Sequence, residues 1–279
     1  MGEPLGEDKA GGALLALGFG YVAQALAQRL RAGGWRVAGT SRSGRDDMIV
    51  FDGALTPAMA ETIAQADAIL ISIPPDSEGC PAARVAPPLT ARWIGYLSTT
   101  GVYGDLAGRW AFEWSPRRPT SDIAERRMRA EDQWLARGAH IFRLPGIYGP
   151  GRSAFDRLRA GDAQRIVKSG QVFSRAHVDD IAAALAASIA RPKPGTAYNV
   201  CDDEPAPPQD VIVEAARLLG VPPPPEVAYE DASLSPMARR FYQDSKRVAN
   251  ARAKAALGWR PRYPSYREGL RAILEGERG

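Results

Sequence analysis

ALLALGFGYVAQALAQRLRAGGWRVAGT, residues 13–40, decides how the rest of the chain is read. ALLAL (13–17) is a short apolar run that enters GFGYVA, and AQALAQRL then continues at helical spacing. Val22, Leu26 and Leu30 recur every four residues, and Gly33-Gly34 ends the helix. WRVAGT (35–40) reads as a second strand. The whole has the length of one strand–turn–helix–strand unit.

The glycine turn has a chemistry attached. Gly18 permits the tight turn, and Gly20 lets the backbone approach a pyrophosphate. Ala23 stands at the third small position, where a helix packs closely on its strand. Tyr21 and Val22 open a helix whose N–H groups and partial positive charge suit phosphates. A dinucleotide site is the expectation.

The end of the second strand separates the two nicotinamide cofactors. NAD sites usually carry an acid there for the ribose 2′-hydroxyl. This chain has Thr40, Ser41, Arg42 and Ser43, with no acid until Asp46. Hydroxyls and a guanidinium suit a 2′-phosphate, so NADP(H) is the expected cofactor. Two further strands follow, MIVF (48–51) ending in Asp52 and DAILISI (67–73) ending in Ile73 and Pro74. Their carboxyl ends lie where adenine and nicotinamide contacts form. Thr56-Pro57 starts the intervening helix with a cap residue and a first-turn proline.

Bulk properties narrow the rest. The chain has 279 residues, is 45% hydrophobic and 24% charged, and carries a formal charge of +4. Those values fit one large α/β domain, or a large domain with a small lobe. Its 36 basic residues are nearly all arginine, scattered among acids as in AERRMRAEDQW, and read as a solvated surface. Neither a nucleic-acid partner nor a membrane is expected, since no basic block, aromatic platform or long apolar run is present. Cys80, Cys201, His140 and His177 show no metal-ligand spacing. A soluble, cytoplasmic protein without a structural metal is the expectation.

WIGYLSTTGVYGD (93–105) is another buried strand with a hydroxyl-rich turn. It resembles the strand that carries the catalytic hydroxyl in extended short-chain dehydrogenases/reductases, the NAD(P)-dependent epimerases and dehydratases. The resemblance continues in order through FEWSPRRPTS (112–121), IFRLPGIYGPGR (141–152), SRAHVDDIAAAL (174–185), GTAYNVCDDEP (195–205) and LGWRP (257–261). It implies a Rossmann-type doubly wound parallel sheet with a smaller, discontinuous C-terminal substrate lobe. It puts the catalytic hydroxyl at Thr99, three positions before Val102, and adds Thr99, Arg127 and Pro145 to the cofactor contacts. A small-molecule substrate is implied, and a homodimer is allowed.

The helix after PTS departs from that family. Its members carry a tyrosine that moves the proton and, four residues on, a lysine that binds the nicotinamide ribose and lowers the tyrosine pKa. Aligning on Glu131 puts Ile123 and Arg127 at those positions. Arg127 keeps a charge; Ile123 has no proton to give. The chain therefore resembles the atypical members. YQDSK (242–246) offers Tyr242 four residues before Lys246, but far from the usual place, so Tyr242 is a secondary catalytic candidate. Nucleotide-sugar enzymes of the family place an arginine four residues before the histidine of HV.D; here Phe173 stands there, and Arg175 is two before His177. A sugar nucleotide is thereby the least favoured substrate, and His177 reads as a structural hydrogen-bonder.

The divisions expected are a flexible tail over 1–11, a Rossmann domain over 12–150 and 176–203, and a lobe over 151–175 and 204–279. Helices are expected near 153–160, 209–219, 246–257 and 265–277, with the prolines of 222–225 as a stiff connector. Thr99, Tyr103, Tyr148, Phe173 and Tyr242 are candidate cleft residues, with a packing role equally open for Tyr103 and Tyr148, which lie in family-like loop motifs. The leading functional expectation is an NADP-binding oxidoreductase or epimerase/dehydratase-like enzyme acting on a small carbonyl or hydroxyl compound. The alternative is a non-catalytic NADP(H) sensor.

Overall fold

The computed structural model describes residues 11–44 and 48–278. Asp46 and almost all of the tail expected to be flexible lie outside the described residues. The first half contains β1 (Ala13–Leu17), α1 (Tyr21–Ala32), β2 (Arg36–Ser41), β3 (Ile49–Val50), α2 (Pro57–Gln65), β4 (Ala68–Ile71), α3 (Pro81–Val85), β5 (Trp93–Thr99), β6 (Trp110–Ala111) and α4 (Asp122–Leu135). Then come β7 (His140–Leu144), β8 (Gly146–Tyr148), α5 (Ala154–Arg159), β9 (Arg165–Val167), β10 (Arg175–His177), α6 (Val178–Ala190) and β11 (Ala197–Asn199). The chain ends with α7 (Pro208–Leu219), β12 (Glu226–Ala228), α8 (Pro236–Phe241), β13 (Arg247–Val248), α9 (Ala251–Leu257) and α10 (Tyr266–Arg278).

Seven strands form one parallel sheet in the order β3-β2-β1-β4-β5-β7-β11. The chain winds outward from β1 to β3, then returns and winds the other way from β4, as in the doubly wound α/β class. The strand order therefore reverses between β1 and β4, and ligands bind such sheets at the carboxyl end of that point.

Alternation along β1 sorts the two faces. Leu14 and Ala16 pack with Val22, Leu26 and Leu30 of α1 and with Ile181 and Leu185 of α6. Leu15 and Leu17 pack on the opposite face with Met59 and Ile63 of α2 and Trp134 of α4. The four-residue periodicity seen in the sequence is thus the buried stripe of α1.

Outside the sheet, β8 pairs with β10, and β9 with β12, both in parallel. The lobe has a separate small core in which Phe155, Ala215, Tyr266 and Leu270 meet. Two features differ from the sequence expectation. The segment 246–248 is not helical: β13 pairs with β6, and α9 begins only at Ala251. Moreover Ala253, Leu257 and Trp259 join the core around α1 and α6, so this stretch packs on the main domain and not in the lobe. The Trp259 indole donates to the Asp180 carbonyl oxygen at 3.1 Å, an anchor with no periodic signature. Among the described residues no helix is long and apolar enough to cross a membrane.

Candidate cofactor and active site

The glycine turn sits at the strand-order reversal. Gly18 has φ +88°, and a Cβ there would lie 3.0 Å from the Ile73 side chain. A side chain would be both strained and crowded. Gly20 is extended and caps α1 with no side-chain acceptor, and nothing lies within 4 Å of where its Cβ would stand. By contrast Thr56, Ser121, Ser153 and His177 close the N-termini of α2, α4, α5 and α6 with their side chains. The first turn of α1 thus has no side-chain cap and open space at Gly20, which fits a bound pyrophosphate.

Neighbouring strand ends shape this turn. The buried Thr40 hydroxyl accepts from Gly18 N at 2.9 Å, and its carbonyl accepts from Phe19 N at 3.0 Å. Ser41 and the exposed Arg42 follow directly at the end of β2. Asp52 is also exposed after β3, its carboxylate accepting from Ala54 N at 3.1 Å. Ile73 and Pro74 stand at the end of β4, with Ile73 N donating to the Leu17 carbonyl at 3.1 Å. Val22 is buried in the core, so only its backbone is available to a ligand. The Tyr21 hydroxyl donates to the Pro150 carbonyl at 2.9 Å, tying the loop after β8 to the start of α1. Burial pushes this phenol up to about 12. Pro145, half-buried, joins β7 to β8.

Thr99 ends β5 half-buried, and its Oγ1 accepts from Gly101 N at 3.1 Å. Its hydroxyl hydrogen is therefore free to point elsewhere. Ile123, in the first turn of α4, is 56% exposed. Its side chain adds an apolar surface where the resemblance places a phenol. Arg127, one turn on, donates from Nη1 to the Leu97 carbonyl at 2.7 Å and to the Tyr96 hydroxyl at 3.2 Å. Part of the charge expected to face the ribose is thus spent on β5.

Beneath Thr99 lies a buried charged network. Glu131, fully buried, accepts from Ser98 Oγ at 2.5 Å and from Arg143 Nη2 at 2.8 Å. Arg143 also donates to the Tyr103 hydroxyl at 2.8 Å, and Tyr103 donates to Asn199 Oδ1 at 2.7 Å. Arg117 reaches Glu131 from the surface at 3.0 Å. Burial raises the Tyr103 phenol to about 12, even with Arg143 pulling the other way.

Tyr103 has no exposed surface and is a strut, not a cleft residue. Glu131, within the arginine-rich stretch AERRMRAEDQW, is interior, because α4 packs it against Arg143 of β7. Nothing in local spacing marks this contact across 12 residues.

The lobe candidates separate into two groups. Phe173 and Tyr242 meet edge to face at 5.7 Å, and Tyr229 lies 5.4 Å from Tyr242. Burial raises the Tyr242 phenol, and Arg157 and Arg175 partly offset this. Lys246 does not pair with Tyr242; its Nζ reaches Asp244 at 3.0 Å. The tyrosine–lysine spacing there carries no catalytic pair, since the intervening turn sends the two side chains to different partners. Tyr148 is half-buried, its ring edge-on to His177 at 5.2 Å and its hydroxyl 3.4 Å from the Ser265 carbonyl. His177 caps α6 by accepting from Asp179 N at 3.2 Å, and burial holds it below the usual histidine range. Both Tyr148 and His177 therefore have structural partners. Among the described residues no histidine, cysteine and carboxylate group is placed to hold a metal.

No protein-family model matches the chain. A solved conserved protein of unknown function from Silicibacter pomeroyi is 46% identical, with a TM-score of 0.88, covering 96% of this chain and 100% of that one. A Methylobacillus flagellatus protein, described provisionally as an NAD-dependent epimerase/dehydratase, is 25% identical with a TM-score of 0.72 over 96% of this chain and 100% of its own. In sequence, 3-diazoavenalumate denitrifying reductase from Streptomyces sp. is 36% identical over 141 residues, 47% of this chain and 45% of that protein. The match thus spans under half of that relative's length. More distant structures share the fold alone; they include a human epimerase family protein with NADPH, 18% identical with a TM-score of 0.75, covering 94% of this chain and 99% of that one. A Bacillus cereus UDP-glucuronic acid 4-epimerase with NAD is 17% identical at the same TM-score of 0.75, over 94% and 96% of the two chains.

Proposed function

We propose that this chain, which shares the extended short-chain dehydrogenase/reductase fold of NAD(P)-dependent epimerase/dehydratase-like neighbours, is a cytoplasmic NADP(H)-dependent oxidoreductase acting on a small carbonyl or hydroxyl compound. The observation that carries this reading is the uncapped, open turn at Gly18 and Gly20 beside Ser41 and Arg42. The N-terminus of α1 would hold the pyrophosphate, and Arg42 would hold the 2′-phosphate through a forked, permanent charge. The cofactor, when bound, supplies or accepts the hydride. A relative named as a reductase supports that direction of chemistry.

The chain's own residues orient and polarise. Thr99 donates a hydrogen bond to the substrate oxygen, since accepting from Gly101 N leaves its hydroxyl hydrogen unused. Ser98, bonded to Glu131, fixes the strand end that presents Thr99. Arg127 contributes positive charge from beneath the site while anchored to Leu97. Ile123, exposed on the face where the resemblance places a phenol, has no proton to give, so the proton comes from solvent. General acid assistance is worth roughly 10²–10⁴-fold, so its loss slows such an enzyme without abolishing it.

NADPH oxidation against a panel of small aldehydes and ketones tests the reading. With an accepted substrate, Thr99→Val lowers turnover by about 10²-fold, as expected for loss of one oxygen-binding donor. Unchanged turnover contradicts the assignment of Thr99. A second reading, a non-catalytic NADP(H) sensor, is favoured by the exposed Ile123 alone. It predicts different hydrogen-exchange protection of the lobe with NADP⁺ and with NADPH; identical maps contradict it.

A further inference from the structure

A cavity of about 440 Å³ opens in the lobe between the starts of α5, α7 and α10. Arg152, Arg157 and Arg175 supply its polar wall. Among the described residues, none of the three is in ion-pair contact with a carboxylate. Arg157 donates from Nη2 to the Asp162 carbonyl at 3.2 Å. Arg175 donates from Nη1 to the carbonyls of Phe173 and Ala206, both at 3.0 Å, which fixes its fork over the Tyr266 ring. Arg152 lies 5.9 Å from the centre of the Tyr21 ring, so one rim of the cavity touches the first residue of the glycine-turn helix.

The acids nearby make no ion-pair contact with these arginines among the described residues, though Asp202 and Asp210 attract Arg175 from a distance. Asp156, the one carboxylate in the wall among the described residues, is spent on Ser153, at 2.6 Å to its N and 2.7 Å to its Oγ. Asp202 is buried near Arg175, and neither of its carboxylate oxygens has a donor within bonding distance. Burial pushes its carboxyl up to about 8, against the pull of the Arg175 guanidinium. The remaining wall is apolar, formed by Pro208, Val211, Ile212 and Leu270.

Three unpaired guanidinium groups facing an apolar floor select a ligand with two unlike ends. We propose that this cavity is a subsite for a small amphipathic anion: a carboxylate or phosphate monoester carried on an aromatic or aliphatic body. Arginine forks match the planar carboxylate and the phosphate oxygens alike, and the apolar floor takes the body. A nucleoside base would find few hydrogen-bond partners among Pro208, Val211, Ile212 and Leu270. Calling the occupant the substrate rests on the oxidoreductase reading; the anion site itself does not.

Calorimetric titration of the full-length protein, with and without NADPH, uses trans-cinnamate, phenyl phosphate, the neutral cinnamamide and UDP. Binding of cinnamate or phenyl phosphate at least tenfold tighter than cinnamamide is the expected result, and the tighter of the two identifies the head group. The Arg152→Ala/Arg157→Ala double variant should weaken that anion about tenfold or more, and Val211→Trp should abolish it by filling the floor. Circular dichroism and NADPH affinity check that both variants remain folded. Equal binding of cinnamate and cinnamamide, insensitivity to the double variant, or UDP binding tighter than both small anions overturns the proposal. Loss of NADPH binding in the unmodified protein, with anion binding intact, would instead overturn the cofactor reading.

Discussion

The Arg127 guanidinium donates to the Leu97 carbonyl oxygen at 2.7 Å, so α4 is pinned to the strand that ends in Thr99. The residue at the family's lysine position thereby acts on the scaffold as well as on charge. Arg127→Ala should cost about 1.5–3 kcal/mol of stability, the range for hydrogen bonds from a charged donor. Urea denaturation of the two proteins measures it. Full stability combined with lost NADPH affinity would show that the guanidinium serves the cofactor and not the strand.

Glu131 and Arg143 are both buried and meet through two nitrogens. Removing one partner strands the other charge in the interior. Glu131→Ala should therefore cost about 3–5 kcal/mol. The Glu131→Leu/Arg143→Met pair should cost less than either single change, since no unpaired charge remains. A double variant less stable than both singles would contradict this.

Asp202 sets a pH dependence of definite sign. Burial raises its carboxyl from 3.8 to about 8, against Arg175, with Asp203 adding to the rise and Tyr148 standing near. Between about pH 4 and 8 the folded state therefore holds a proton that the unfolded state has released. Its contribution to stability is fullest below pH 4 and declines as pH rises to about 8, then levels off. The stability difference between the wild type and Asp202→Asn should fall across that window, with a slope of at most about 1.4 kcal/mol per pH unit. A difference that grows with pH would contradict the burial assignment.

The β1–α1–β2 unit was legible because strand length, glycine spacing and a four-residue stripe all agree. The carboxyl-edge residues Ser41, Arg42, Asp52, Ile73 and Thr99 followed from strand ends, which the structure places at strand termini. The Glu131–Arg143–Tyr103 network was not legible, because its members come from three elements and look like ordinary surface or loop residues in the sequence. The docking of α9 on α6 and β11 was hidden for a related reason. Ala253 and Leu257 have an apolar spacing that suits any core, and only the tertiary path of β13 chooses which one. Likewise the arginines of the lobe cavity are separated by up to 23 positions and converge only in the fold.

The central claim is an NADP(H) site at the Gly18–Gly20 turn with Arg42 reading the 2′-phosphate. Calorimetric titration of the wild type and Arg42→Ala with NADPH and NADH tests it most directly. The wild type should prefer NADPH by tenfold or more, and the variant should lose this preference while still binding NADH. No binding of either cofactor, or an NADPH preference that survives Arg42→Ala, would contradict it.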